Sequence, residues 1–449
     1  MTPGERLDRL FQLRDRGTDV RTEVVGGATT FVALSYVVFV HPAVLATTGM
    51  DPGAVLTATC LTGAFATALM GLWARYPIAV APAMGHNFYF AFVVAGPLAA
   101  GGLGFSWQAA LGANCVAGIA FLALSLIGLR ERLIDAIPES LRHAIGAGIG
   151  LLLALAGFEW AGVVRAAPGT LVALGDLHHP AVLVAVGGTL LTGALLARGS
   201  PGAILIGTLA TGVVAALAGL VPYAGLVAAP PSLAPTFGHL ELGAVLQARL
   251  LPAVLVLFLL GLFDTIGTLV GLADRAGFLQ DGRLPRAREA MATDAIGTIV
   301  GTVLGTSTVT AYVESAAGVE EGARTGLASL VTAALLLVAL FCAPLARMAG
   351  ATVRVGDAAL HPVVAPALIA VGSFMLRSVA RLDLRDPPAA IASFLTMVTM
   401  PFTFSITEGI SFGFIAYALL MLAAGRGRAV HPLLYLFAAV FLLRYAFLL

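Results

Sequence analysis

The chain has 449 residues, of which 59% are apolar and 11% charged, and its mean hydropathy is +0.97. This composition excludes a soluble globular domain and places the chain among polytopic membrane proteins. The formal net charge is +1, and the basic side chains, all Arg apart from the histidines, are scattered through short loops, which argues against a nucleic-acid partner.

The chain opens with a polar leader, residues 1–21, carrying Arg6, Arg9, Arg14, Arg16 and Arg21. The apolar run after it is too long for a signal-peptide core, so the leader is read as retained and cytoplasmic. Apolar stretches follow at 24–46, 52–73, 77–95, 107–128, 141–158, 180–197, 201–220, 248–273, 290–304, 306–318, 326–346, 362–379, 388–405 and 409–424, with a further run at 431–449. The expected fold is an all-α polytopic membrane protein of about fourteen transmembrane segments. Several stretches, notably 306–318 and 362–379, fall short of the ~20 residues a straight span needs. With the N-terminus inside, 20 of the 25 Arg lie at cytoplasmic ends, and only Arg165, Arg249, Arg347, Arg354 and Arg444 lie on the other side. That asymmetry is what the positive-inside rule requires.

The third and tenth stretches are broken. Pro77, Pro82 and Gly85 interrupt the third, while Gly305 and the Thr306, Ser307, Thr308, Thr310 cluster soften the tenth. Each reads as a short extended stretch leading into a half-length helix, starting near Ala83 and near Thr310. Irregular backbone survives at bilayer depth only where protein or a water-filled cavity satisfies its polar groups. The two stretches are seven segments apart, an odd number, so repeats built on them would be inverted. Their half-helix N-termini would aim amide donors and positive dipole ends at one midplane site.

Two carboxylates sit at that depth, Asp264 in the eighth stretch and Glu314 in the tenth. A charge at the bilayer centre costs roughly 2.5 to 3.5 kcal/mol on insertion scales, so the pair points to an ion, proton or substrate pathway. An enzyme is disfavoured: there is no H-E-x-x-H, no G-x-S-x-G and no Cys/His ligand spacing. Cys60, Cys115 and Cys342 lie in apolar runs and read as small packing residues. His178 and His179 with Asp176 make a weak metal site, and no metal or cofactor is implied. Glu408 reads as structural, interfacial or gating, Glu159 and Trp160 as an interfacial anchor, and Arg21 and Glu23 as boundary charges that need no functional explanation.

The strings Thr29-Thr-Phe-Val-Ala-Leu-Ser-Tyr-Val-Val-Phe-Val-His-Pro42, Ala81-Pro-Ala-Met-Gly-His-Asn87, Phe263-Asp-Thr-Ile-Gly-Thr268, Gly305-Thr-Ser-Thr-Val-Thr-Ala-Tyr-Val-Glu-Ser-Ala-Ala-Gly318 and Ser405-Ile-Thr-Glu-Gly409 resemble the AzgA-like adenine/guanine/hypoxanthine permeases. These are a branch of the nucleobase/cation symporter superfamily that also holds uracil and xanthine permeases. The resemblance runs from about Glu23 to the C-terminus. It implies two inverted seven-segment repeats, with a core domain at 22–130 and 247–348, a gate domain at 131–222 and 360–425, and an extra apolar segment at 430–449. It further implies purine–proton symport by an elevator-like shift of core against gate and, as in relatives of this fold, a homodimer; the short leader and the composition point to a bacterial inner membrane.

Carried over by the same resemblance, the irreplaceable positions fall on Asn87, Asp264 and Glu314. The chemistry suits a purine, whose edge carries N–H donors beside nitrogen and carbonyl acceptors. Asp264 and Glu314 accept, Asn87 bridges, backbone N–H near Val313 and Ser315 donates, Phe88 or Phe263 stacks, and Thr268, one turn after Asp264, orients the carboxylate or touches substrate. One carboxylate also takes the coupling proton, and the expected division is Glu314 for substrate and Asp264 for the proton. The chain departs from the family pattern: Ala83-Met-Gly-His-Asn-Phe-Tyr-Phe90 replaces the usual Gly-Met-Gly-Leu-Asn-Ala-Phe-Phe, and His41 stands where Asn is usual before Pro42. His86 is therefore either a satisfied core histidine or a new pocket residue. The alternatives are a carrier of the same fold for another small heteroaromatic or anionic solute, and an uncoupled facilitator.

Overall fold

A computed structural model describes residues 8, 10–98, 102–127, 137–167, 169–278, 284–356 and 358–447. Arg6, Arg9, Arg130, Arg132 and Arg283 of the charge count, and the proposed boundary at 130/131, lie outside the described residues.

The first helix, α1 (Val20–Leu34), starts where Asp19 accepts the Thr22 N–H at 2.8 Å. That bond holds the Asp19 carboxyl below its usual range. The chain then breaks at Ser35–Tyr36 and resumes as α2 (Val37–Ala46). Asp51 caps α3 (Pro52–Leu69), with Pro52 in the first turn, where no N–H is missed. After a π-helical end at Met70–Ala74 comes strand β1 (Val80–Pro82), then the short helix α4 (Met84–Phe88), extended by a π turn to Val94. Next are α5 (Trp107–Ile127), α6 (Glu139–Trp160), a hairpin of β2 (Val164–Ala167) and β3 (Leu171–Leu174), α7 (Pro180–Ala197) and α8 (Ala203–Leu217). The second half holds α9 (Leu251–Ala276), α10 (Ala287–Leu304), β4 (Val309–Ala311), α11 (Ser315–Glu320), α12 (Gly326–Ala339), α13 (Ala343–Ala349) and a hairpin of β5 (Val353–Val355) and β6 (Ala358–Leu360). It ends with α14 (Ala365–Met375), α15 (Pro387–Thr403), α16 (Ile406–Ala423) and α17 (Pro432–Phe447). Among the described residues, eight helices are long and apolar enough to cross a membrane.

Helix packing interleaves the two halves of the chain. In one bundle, α12 lies against α1 and α3, and α10 against α3 and α5, while α9 also contacts α5. In the other, α6 is flanked by α14 and α15, α15 by α16, and α7 by α8 and α14. Small residues permit the close approaches. A Cβ on Gly326 would come within 1.9 Å of the Gly71 carbonyl oxygen, so α12 and the end of α3 touch backbone to backbone.

The two broken stretches meet. Strands β1 and β4 pair antiparallel, with Val80 opposite Ala311 and Pro82 opposite Val309. A two-stranded sheet has two unpaired edges, which hydrocarbon would not tolerate. Threonines close them. Thr67 of α3 takes both the N–H and the carbonyl of Val80 at 2.9 Å, and Thr298 of α10 does the same for Val309 at 3.2 and 3.3 Å. Replacing Thr67 by Val, which keeps the shape and removes the hydroxyl, leaves two buried backbone groups unpaired and is expected to cost about 2–4 kcal/mol. A lowered unfolding midpoint of the purified protein checks this.

The half-helix expected near Ala83 starts there, with Ala83 as the cap of α4. The one expected near Thr310 starts later, at Ser315. Residues up to Tyr312 are held extended: Ala311 N–H donates to Asp294, and Tyr312 N–H to Ala79 O at 2.9 Å. Gly305 ends α10 at φ 96°, and a Cβ there would strike Thr236 at 2.2 Å, so only glycine makes this turn. Trp160, expected as an interfacial anchor, is instead 7% exposed and packs against His361 at 4.5 Å.

Candidate functional site

Asp264 lies midway along α9, where its carboxylate accepts from Thr310 of β4 at 3.1 Å. Its side chain nonetheless keeps 44% of its surface accessible. The carboxylate is thus half-open although it is bonded to a buried strand. The same face of α9 stays open beyond it: a Cβ added to Gly267 or Gly271 would meet nothing within 4 Å, and Thr268 is half-buried.

Glu314 occupies the position that starts α11, without a side-chain capping bond. Its Oε1 accepts from the Tyr36 hydroxyl at 2.8 Å. Tyr36 lies at the break between α1 and α2 and is 2% exposed. Val313 beside it is 57% exposed, whereas Ser315 is fully buried and uses its hydroxyl to accept the Ala79 N–H at 3.0 Å. The Ser315 N–H goes to Tyr312 O. Ser315 thus ties α11 to the strand edge, and neither its hydroxyl oxygen nor its N–H is left idle.

Asn87 on α4 is 0% exposed. Its amide nitrogen meets His41 Nδ1 at 3.0 Å and Met84 Sδ at 3.7 Å, while His41 Nε2 reaches Thr306 Oγ1 at 2.8 Å. His41, at the position where the family pattern has Asn, is therefore a bridge between the two broken stretches. The Asn87 carbonyl oxygen is buried with no hydrogen-bond partner. His86 is 2% exposed, and neither ring nitrogen has a hydrogen-bond partner. Its Nδ1 lies 3.9 Å from Asp264.

A profile described as the permease family, of xanthine/uracil type, matches residues 21–412. The chain belongs to this permease family. It is 42% identical over 454 residues to the guanine/hypoxanthine permease PbuG of Bacillus subtilis, covering 98% of this chain and 100% of that one. It is 40% identical over 443 residues to the adenine permease AdeP of Escherichia coli, covering 98% and 96%. In three dimensions it resembles the transmembrane domain of the cyanobacterial bicarbonate transporter BicA, with a TM-score of 0.63 at 18% identity over 86% of this chain and 97% of that one. That likeness concerns the fold. The relatives are permeases, and so is this chain, not an enzyme.

In this permease, His86 lies beside Asp264, Thr268 follows Asp264 by one turn of α9, and Asn87 is one residue after His86. Phe88 does not join them. Phe88 is 1% exposed and packs against Phe92 at 5.2 Å and Trp160 at 6.3 Å. Phe263 is half-buried and packs against the hydrophobic core. Among the described residues, no group of three His, Cys, Asp or Glu could hold a metal; His179 instead caps α7 by accepting the Ala181 N–H.

Sequence reasoning missed two residues here. Tyr36 gave no signal, since an aromatic in an apolar stretch is ordinary. Asp294 did give one. It lies within the ninth apolar stretch, where the argument applied to Asp264 holds equally. It is 0% exposed, and one carboxylate oxygen accepts from Thr265 at 2.7 Å and from Ala311 N–H at 3.0 Å. Asp264 and Asp294 thus hold neighbouring residues of β4 from two helices. Glu408 lies in the first turn of α16, paired with Arg444 of α17 at 2.8 Å and accepting from the Tyr445 hydroxyl, so the final apolar run is fastened to α16.

Proposed function

We propose that this permease imports purine nucleobases together with protons. The carrying observation is that the β1–β4 pairing joins the third and tenth stretches, that Asp264 of the eighth accepts from Thr310 of β4, and that Asn87 and Glu314 follow directly on the two strands. Two carboxylates there suit a neutral base rich in N–H groups and disfavour an anion, which they would repel. Both also keep a hydrogen-bond donor of their own, Thr310 for Asp264 and Tyr36 for Glu314, so each can take up and release a proton without losing its place. Asp264 and Glu314 are the proton-coupling candidates. The names of the relatives support the nucleobase.

The fourteen apolar stretches are proposed to form two inverted repeats. The Thr67–Val80 and Thr298–Val309 clamps, equivalent in the two halves, favour that symmetry. The bundle of α1–α5 and α9–α12 is the proposed core domain, and that of α6–α8 and α14–α16 the gate, with the N-terminus cytoplasmic, a homodimeric assembly, and an elevator-like shift of core against gate. The test is uptake of radiolabelled adenine, guanine, hypoxanthine, xanthine and uracil into cells lacking their own permeases, with and without a protonophore. Saturable purine uptake that collapses with protonophore is the expected result. Uptake indifferent to protonophore identifies a facilitator, and no nucleobase uptake from a well-expressed protein sinks the reading.

A further inference from the structure

His86 is the least satisfied polar side chain beside Asp264. A buried imidazole with neither nitrogen bonded is costly, and this one is 2% exposed with both nitrogens unpartnered. The Leu260 backbone is within reach of the ring, but not at the distance and angle of a well-formed hydrogen bond. The 3.9 Å between His86 Nδ1 and Asp264 is too long for a hydrogen bond. It suits two neighbouring polar atoms of one ligand, one accepting from the imidazole N–H and the next donating to the carboxylate.

Apart from Thr268, the side-chain donors around this pair are already engaged. Both Asn87 amide hydrogens are directed to His41 and Met84, the Tyr36 hydroxyl to Glu314, and the Thr310 hydroxyl to Asp264 and Ala311 O. The acceptors left over are the Asp264 and Glu314 carboxylates and the Asn87 carbonyl oxygen. A protonated carboxyl gains one donor and still keeps an acceptor, so the imbalance persists whichever group carries a proton.

We propose that His86 and Asp264 together make this permease selective for a guanine-type edge, with the 6-oxo group accepting from His86 and the adjacent N1–H and 2-amino group donating to Asp264. This rests on the purine reading above. Guanine presents acceptor, donor, donor in sequence, and its two donors match a carboxylate's two oxygens. Hypoxanthine lacks the 2-amino donor. Adenine sets its amino donor between two ring-nitrogen acceptors, so a carboxylate that reaches the amino group meets a lone pair beside it. The expected order is guanine, hypoxanthine, adenine.

The test is competition of these bases, and of 2-aminopurine, against labelled hypoxanthine in wild type, His86→Leu and His86→Gln, normalised to membrane-inserted protein. The guanine-to-adenine preference is expected to fall about three- to tenfold in His86→Leu, the size of one lost hydrogen bond, and to be largely kept in His86→Gln, which retains a donor. A wild type that prefers adenine, or His86→Leu with uptake but an unchanged ratio, overturns the proposal while leaving purine transport intact. If His86→Leu fails to insert, wild type decides: 2-aminopurine, which lacks the 6-oxo group, is expected to compete more weakly than guanine, and equal competition refutes the assignment. Absence of competition by any purine would instead refute the purine reading itself.

Discussion

Glu314→Gln is expected to reduce purine uptake by about 30- to 150-fold at an unchanged level of protein in the membrane. The change keeps the shape but replaces a carboxylate oxygen by an NH2 group that can only donate. A hydrogen bond to a charged group contributes roughly 1.5–3 kcal/mol net, and an N–H set against another N–H adds repulsion. The Tyr36 hydroxyl, which donates to Glu314 at 2.8 Å, can still donate to the Gln carbonyl, so the helix start should survive while the substrate's acceptor is lost. Asp264→Asn is expected to act similarly, and the double variant to lose little more than either single one, because the two groups serve one bound base. Initial uptake rates measured with immunodetection of the inserted protein check this. Rates within threefold of wild type would show that Glu314 is an intramembrane structural group.

The largest effect on stability is expected from Glu23→Ala. Glu23 looks like a boundary charge in the sequence, yet it is 0% exposed. Its carboxylate accepts from the backbone N–H groups of Arg324 at 2.7 Å, Thr325 at 3.1 Å and Ala328 at 3.2 Å. It therefore caps the N-terminus of α12 from a helix some 300 residues away in sequence, supplying a negative charge where the helix dipole favours one. Alanine would leave these donors unpaired, two of them on fully enclosed residues, at a cost of about 3–5 kcal/mol. A large fall in unfolding midpoint is expected in detergent, with Glu23→Gln intermediate. An unchanged midpoint for Glu23→Ala would mean that α12 needs no such cap.

How far the sequence could be read follows from the range of the interactions involved. Pro77, Pro82 and Gly305 act on their own backbone, so the breaks in the third and tenth stretches were legible. Asp264 and Glu314 stood out because charge in an apolar stretch is costly wherever the chain goes. The pairing of 80–82 with 309–311 joins residues far apart in the chain, and no local pattern announces it. That pairing also explains the one misplaced helix start: Thr310 is a fair cap in isolation, but its strand is already bonded, and the helix waits until Ser315. The hairpins at 164–174 and 353–360 were not anticipated. Trp160 misleads for the opposite reason: a Trp beside a Glu at a segment end matches an interfacial anchor, and only its packing against His361 and Phe88 shows it turned inward. His86 was open in the sequence between core histidine and pocket residue. Its unpartnered nitrogens and its distance from Asp264 favour the pocket.

The most direct test of purine–proton symport is guanine accumulation by the purified protein in liposomes, with an imposed inward proton gradient and without one. Accumulation above the external concentration is expected only with the gradient, and an ionophore that dissipates it should abolish it. Guanine that merely equilibrates at the same rate in both conditions, or does not enter, would contradict symport.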